Sequence, residues 1–84
     1  MKEIKIYTGP MCNYCEAAKR LLKRNNATYN EIDISKVEGA MDEMIKKANG
    51  KRTIPQIFFG DEHIGGYDEV RALEKENKLK DLLK

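Results

Sequence analysis

Cys12 and Cys15 are the only two cysteines of the chain, and only Asn13 and Tyr14 separate them. Two thiols at that spacing can exchange with a disulfide, contribute to a metal site, or sit inertly in a core. A structural staple is a poor use of them, because closing so short a loop removes little chain entropy. A zinc site needs four ligands, typically two such pairs, and only His63 remains as a further soft ligand. No metal site is therefore expected in a single copy, and His63 receives no role. An iron–sulfur cluster shared between two copies of the chain stays open at this point. The setting of the pair favours redox exchange. Gly9-Pro10 breaks a strand-like run just ahead of it, and a helical pattern begins at Asn13. The first turn of a helix carries unpaired N–H groups and a partial positive charge. A thiolate held there is stabilised and its pKa falls below the free value of about 8.5. Thiolate is the attacking species in disulfide exchange. Cys12, nearest the helix end, should be the exposed nucleophile. Cys15, one turn inside, should be the buried resolving group.

Composition narrows the setting. Eighty-four residues make one domain, spanning 1–84. Sixteen Lys and Arg against fourteen Asp and Glu leave a net charge of +2, which does not suit a dedicated nucleic-acid binder. Lys19, Arg20, Lys23 and Arg24 form a local basic group, read as the solvated face of a helix. The first seven residues alternate charged and apolar, with no continuous apolar stretch of the kind a secretory signal needs. Nothing approaches the roughly 18 apolar residues of a membrane span. The expectation is a soluble, cytoplasmic monomer. Paired cysteines in such a reducing compartment more often do redox chemistry or bind metal than staple a fold.

The elements that must position the pair follow from periodicity. Ile4 and Ile6 alternate with Lys5 and Tyr7, as in a strand. From Asn13 to about Arg24, Ala17, Ala18, Leu21 and Leu22 fall at helical spacing, and Asn25-Asn26 ends the segment. Tyr29 to Ile34 reads as a second strand, with Ile32 and Ile34 on one face. Ser35 is the expected N-cap of a second helix, with Glu38 completing a capping box. That helix would bury Met41, Met44, Ile45 and Ala48 and stop at Asn49-Gly50. Gln56 to Phe59 is an almost continuous apolar run, as in a strand covered on both faces. Gly60-Asp61 turns it into a return strand, Glu62 to Ile64. A tail from about Asp68 to Leu83 puts Val70, Leu73, Leu79, Leu82 and Leu83 on one helical stripe, with a possible break near Asn77. The order is β-α-β-α-β-β-α: two parallel strands joined by a crossover helix, then an antiparallel hairpin. The result is an α/β fold with a mixed four-stranded sheet flanked by helices, an architecture that names no function by itself.

Three ordered motifs carry a resemblance. Cys12-Asn13-Tyr14-Cys15, Thr53-Ile54-Pro55-Gln56-Ile57-Phe58-Phe59 and His63-Ile64-Gly65-Gly66-Tyr67-Asp68 resemble the motifs of dithiol glutaredoxins, within the thioredoxin superfamily. The similarity runs from Ile4 to Lys84. It implies a thioredoxin fold and a glutathione-dependent thiol–disulfide oxidoreductase, reducing protein disulfides and glutathione mixed disulfides through Cys12 and Cys15. It implies a cis proline at Pro55, facing the cysteines. Thr53 and Ile54 would flank the glutathione, the Ile54 backbone pairing with its cysteinyl part like an added strand. Gly66 would permit close backbone approach. Tyr67 and Asp68 would hold the γ-glutamyl end, the Asp68 carboxylate meeting the ammonium group, and Tyr14 would line the groove. Asp68 would also serve as N-cap of the last helix.

The chain departs from the family pattern at two places. Asn13 stands where many dithiol members have proline, so the first helical turn gains a backbone N–H and loses a fixed φ. Relatives with small residues there include members that bind a 2Fe-2S cluster with glutathione. Gly9 stands where many members have a lysine that meets the glycine carboxylate of glutathione. Arg52 or Lys51, directly before Thr53, is expected to take over that contact. Two rival readings accompany the leading one: a dimer holding a 2Fe-2S cluster between Cys12 and glutathione, which is not favoured, and a dedicated electron donor to ribonucleotide reductase.

Overall fold

A computed structural model of the chain describes residues 3–83. Met1, Lys2 and Lys84, which the reading of the amino terminus and the span of the resemblance include, lie outside the described residues. The elements run β1 (Ile4–Thr8), α1 (Asn13–Arg24), β2 (Asn30–Asp33), α2 (Ala40–Lys47), β3 (Gln56–Phe59), β4 (Glu62–Gly65), α3 (Tyr67–Lys75) and α4 (Leu79–Leu83). The strands lie in the order β2-β1-β3-β4. β1 and β2 are parallel, β1 and β3 antiparallel, and β3 and β4 form an antiparallel hairpin. This is the thioredoxin fold expected from the element order, with one short helix added at the end. Among the described residues, no helix is long and apolar enough to cross a membrane.

The two central strands explain the helices on both faces. Successive side chains of a strand point to opposite sides, and β1 and β3 each send apolar side chains to both sides. Ile4, Ile6, Ile57 and Phe59 enter one core with Ala18, Leu21, Leu22, Val70, Leu79 and Leu83 from α1, α3 and α4. Tyr7 and Phe58 point the other way, into a smaller core with Met44 and Ala48 beside α2. Tyr7 is fully buried, and its hydroxyl donates to Glu43 Oε1 at 2.6 Å. Burial, then the bond to Glu43, pushes the Tyr7 hydroxyl well above its ordinary pKa. The phenol therefore stays protonated and keeps α2 tied to the sheet.

Two expected helix starts are corrected, and the expected break in the tail is located. Ser35 does not cap the second helix. Its N–H and hydroxyl both donate to Asp33 Oδ1, at 2.8 and 2.5 Å, and the Ser35–Glu38 capping box does not form. An aspartate that bonds the backbone two residues on makes a turn by itself, and here that turn outcompetes the helix start. The helix begins at Ala40 instead, with Gly39 at its N-cap in the left-handed region, φ 80°. The shift moves Met41 off the buried stripe: Ala40 and Met44 are buried, whereas Met41 is 42% exposed. The tail is two helices. Asn77 takes φ 59°, and Lys78 N–H donates back to the Leu73 carbonyl at 2.9 Å, a helix stop that a left-handed asparagine permits. Finally, Asp68 is not the N-cap of α3. Gly66 holds that position, and Asp68 sits in the first turn.

Candidate active site

The pair of cysteines lies at the start of α1. Cys12 is the N-cap residue, in extended backbone, and its Sγ accepts the Cys15 N–H at 3.1 Å. The helix closes normally behind it, with Glu16 N–H donating to the Cys12 carbonyl at 3.2 Å. A sulfur in an N-cap place receives the N–H groups that a serine or aspartate would otherwise satisfy, which is the physical basis for holding a thiolate there. Cys12 and Cys15 are joined as a disulfide with Cα atoms 5.2 Å apart. Cys15 is 1% exposed and Cys12 half-buried, so an incoming molecule reaches Cys12. Met11, in the left-handed region at φ 53°, is fully exposed beside it.

The segment facing the pair enters β3. The Ile54–Pro55 peptide bond is cis, and the Ile54 carbonyl lies 3.9 Å from Cys12 Sγ. From there a groove of about 310 Å³ opens, lined by Tyr14, by Thr53, Ile54 and Pro55, and by Gly66, Tyr67 and Asp68. Three segments far apart in sequence thus meet at one place. Tyr14 and Tyr67 stack across it, with ring centroids 5.9 Å apart. Gly66 is there for space: a Cβ on it would come 3.2 Å from the Pro55 carbonyl oxygen. The Gly66 N–H donates to Glu69 Oε1 at 2.5 Å, which ties the turn to the first turn of α3.

Of the two basic candidates, Lys51 lines the groove and Arg52 does not. Gly9 proves to be a packing position. A Cβ there would lie 2.7 Å from Ile54 Cδ1, closer than such atoms approach, so glycine makes room for the isoleucine of the facing loop. Gln56, Glu69 and His63 were not singled out as site residues. Gln56 and Glu69 line the groove. His63 Nε2 lies 2.7 Å from Gln56 Oε1, and burial, then nearby Lys51, lowers its pKa, with Glu69 acting in the opposite direction. Glu69 carried a signal, the serine-less variant of a capping box in Gly66-Tyr67-Asp68-Glu69. Gln56 carried none, because a polar residue inside an apolar strand run shows nothing of its partners. Among the described residues, no group of three or more His, Cys, Asp or Glu side chains converges to hold a metal ion.

A dithiol that closes on itself at a helix start, with one cysteine half-buried and the other fully buried, is the working part of a thiol–disulfide oxidoreductase of the thioredoxin fold. The family model for glutaredoxin matches residues 4–64. Glutaredoxin 1 of Rickettsia prowazekii is 46% identical over 79 residues, covering 93% of this chain and 83% of its own. Among solved structures, the glutaredoxin of Brucella melitensis has a TM-score of 0.86 at 49% identity, covering 100% of this chain and 90% of that one. A buckwheat glutaredoxin in complex with glutathione has a TM-score of 0.86 at 28% identity, covering 98% of this chain and 76% of that one. The chain belongs to the glutaredoxin family.

Proposed function

We propose that the protein reduces glutathione mixed disulfides and protein disulfides with glutathione as the reductant. The observation that carries this reading is the groove between the Thr53–Pro55 segment and the Gly66–Asp68 turn, whose Ile54 carbonyl lies 3.9 Å from Cys12 Sγ. An extended peptide laid along Ile54 would pair with its backbone as an added strand, and its sulfur would arrive at Cys12. The γ-glutamyl ammonium would meet the Asp68 carboxylate, with Tyr67 beside it. Lys51, in place of Arg52, would meet the glycine carboxylate. A similar protein from buckwheat has been solved with glutathione, which supports the same ligand here.

The chemistry then follows. The Cys12 thiolate attacks the glutathione sulfur of a mixed disulfide. A new S–S bond forms on Cys12, the old one breaks, and the target leaves as a thiolate that takes up a proton. A second glutathione thiolate attacks the glutathione sulfur on Cys12, forming glutathione disulfide and returning Cys12 as a thiolate. With a protein disulfide, such as that of ribonucleotide reductase, Cys12 attacks one target sulfur and the other leaves as a thiolate; Cys15 then attacks the Cys12 sulfur, and the target departs with both its sulfurs reduced. The Cys12–Cys15 disulfide closes, and two glutathiones reopen it. The helix start serves twice, since a stabilised thiolate on Cys12 is also a good leaving group. We place this reaction in the cytoplasm and in a monomer.

The test is turnover of a small glutathione mixed disulfide, with glutathione and glutathione reductase, by wild type, Cys12→Ser and Cys15→Ser. Cys12→Ser is expected to be inactive and Cys15→Ser to retain turnover, because the first route never uses Cys15. An inactive wild type would overturn glutathione as the ligand of the groove.

A further inference from the structure

Gln56 is 1% exposed, yet it lines the groove. Its amide makes three contacts. Nε2 donates to the Thr53 carbonyl at 3.0 Å and to Thr53 Oγ1 at 3.1 Å, and Oε1 faces His63 Nε2 at 2.7 Å. A carbonyl only accepts, so the amide nitrogen must face Thr53 and the amide oxygen must face His63. His63 Nε2 must therefore carry a proton and donate. Both the neutral ring in that tautomer and the imidazolium can do so. The His63 ring stacks on Phe58, with centroids 4.9 Å apart. A chain of bonds thus runs from β4, at the edge of the sheet, to the segment ahead of β3. That segment presents the Ile54 carbonyl 3.9 Å from Cys12 Sγ.

We propose that His63 is a positioning residue for disulfide exchange: through Gln56 it orients the Thr53–Ile54 backbone on which the substrate's own backbone pairs beside Cys12. The inference rests on the groove being the substrate-backbone site given above. His63 is not itself part of the groove lining, and its hydrogen bond toward that lining runs through Gln56. Removing its donor leaves a buried amide oxygen without a partner. Only the Thr53 contacts then hold the amide, and the segment loses the bond that anchors it to β4. Lost orientation of the pairing segment weakens substrate binding and leaves the attack by Cys12 unaltered, so the effect belongs in KM.

His63→Phe keeps a ring against Phe58 and removes the donor, whereas His63→Gln returns an N–H at similar reach. Steady-state kinetics on a small glutathione mixed disulfide and on a protein disulfide (insulin) compare both with wild type. The expected result is a KM raised about tenfold for His63→Phe, as for a buried hydrogen bond left unmade, with kcat nearly unchanged and KM recovered in His63→Gln. The amide signals of Thr53 and Ile54 in nuclear magnetic resonance spectra are expected to shift in His63→Phe and return in His63→Gln. An unchanged KM in His63→Phe, a loss confined to kcat, or a His63→Gln variant as impaired as His63→Phe would overturn the proposal. If His63→Phe does not fold, His63→Leu takes its place in the same comparison. A wild type that reduces the protein disulfide but not the mixed disulfide sinks the glutathione reading alone, and the protein-disulfide KM values then decide on His63.

Discussion

At the scale of single residues, the chemistry turns on an asymmetry between two identical side chains. Cys12 is half-buried at the helix N-cap and Cys15 is 1% exposed one turn later, which is the difference on which the proposed division between attack and resolution rests. The spacing of the pair and the break at Gly9-Pro10 made that difference in exposure readable in advance. The choice between Lys51 and Arg52 was not readable, because neighbouring residues in a loop point in different directions and only the fold selects one. Lys51→Ala is expected to raise KM for a glutathione mixed disulfide severalfold, and Arg52→Ala to leave it near wild type. The difference should shrink at high salt, as it must for an exposed charge. Equal effects of the two substitutions would show that the groove does not distinguish them. Gly9 offers a second test. Gly9→Ala drives a Cβ to within 2.7 Å of Ile54 Cδ1, whereas Ile54→Val removes that carbon. Unfolding of the two single variants and the double variant should show a favourable coupling of about 1 kcal/mol. Additive effects would mean that Ile54 simply rotates away.

At the scale of elements, the disagreements lie at helix starts. The Asp33 carboxylate bonds both Ser35 donors, and hydrogen bonding to Ser35 holds the Asp33 carboxyl below its usual pKa. The chain from 34 to 39 is therefore turn, and α2 starts late, at Ala40. Ser35 and Glu38 have the spacing of a capping box, but a competing acceptor two residues upstream claimed the hydroxyl. That competition is local, and Asp33 was in view. What was missing is the end of β2, which sets where the aspartate points. Gly39 makes the late start possible. It has φ 80°, and a Cβ there would meet nothing within 4 Å, so any cost of a side chain is backbone strain alone. Gly39→Ala is expected to destabilise the fold by about 1 kcal/mol, and Gly39→Asn by less, since asparagine tolerates this region. Urea unfolding with an unchanged m-value would check both. An alanine variant as stable as wild type would show that the turn relaxes.

At the scale of the molecule, one ion-pair group ties the first helix to the last part of the chain. Arg24 Nε and Nη2 donate to the two oxygens of Glu74, at 2.9 and 2.7 Å, and Asn25 Nδ2 adds a third bond at 2.7 Å. Arg24, then Asn25, lowers the Glu74 pKa to about 2. A carboxylate depressed in the folded state contributes stability that is present above its unfolded pKa, about 4.3 for a free glutamate, and is lost as pH falls toward the folded value. The melting temperature is thus expected to fall between about pH 4.5 and pH 2, and the Glu74→Gln variant to lose part of that slope while melting slightly lower at neutral pH. Solvent screens much of the pair, so the difference at neutral pH should be a few degrees at most. Identical pH profiles for the two proteins would remove Glu74 from the acid response.

The amino-acid sequence by itself determined the order of the strands and helices, the redox pair and the three motifs that resemble glutaredoxins. Each of these is written in short-range periodicity, in turn residues or in the spacing of a few side chains, and survives reading without coordinates. Tertiary structure alone decided what crosses between segments. It brought Tyr14, Thr53 and Tyr67 to one groove, set Lys51 rather than Arg52 on its wall, and packed Gly9 against Ile54. It also linked His63 to Gln56, through a hairpin register in which Phe58 pairs with His63 beside an irregularity at Ile57. Register and side-chain direction are fixed by how two faces of a sheet are buried, and that is a property of the packed molecule which no local pattern carries.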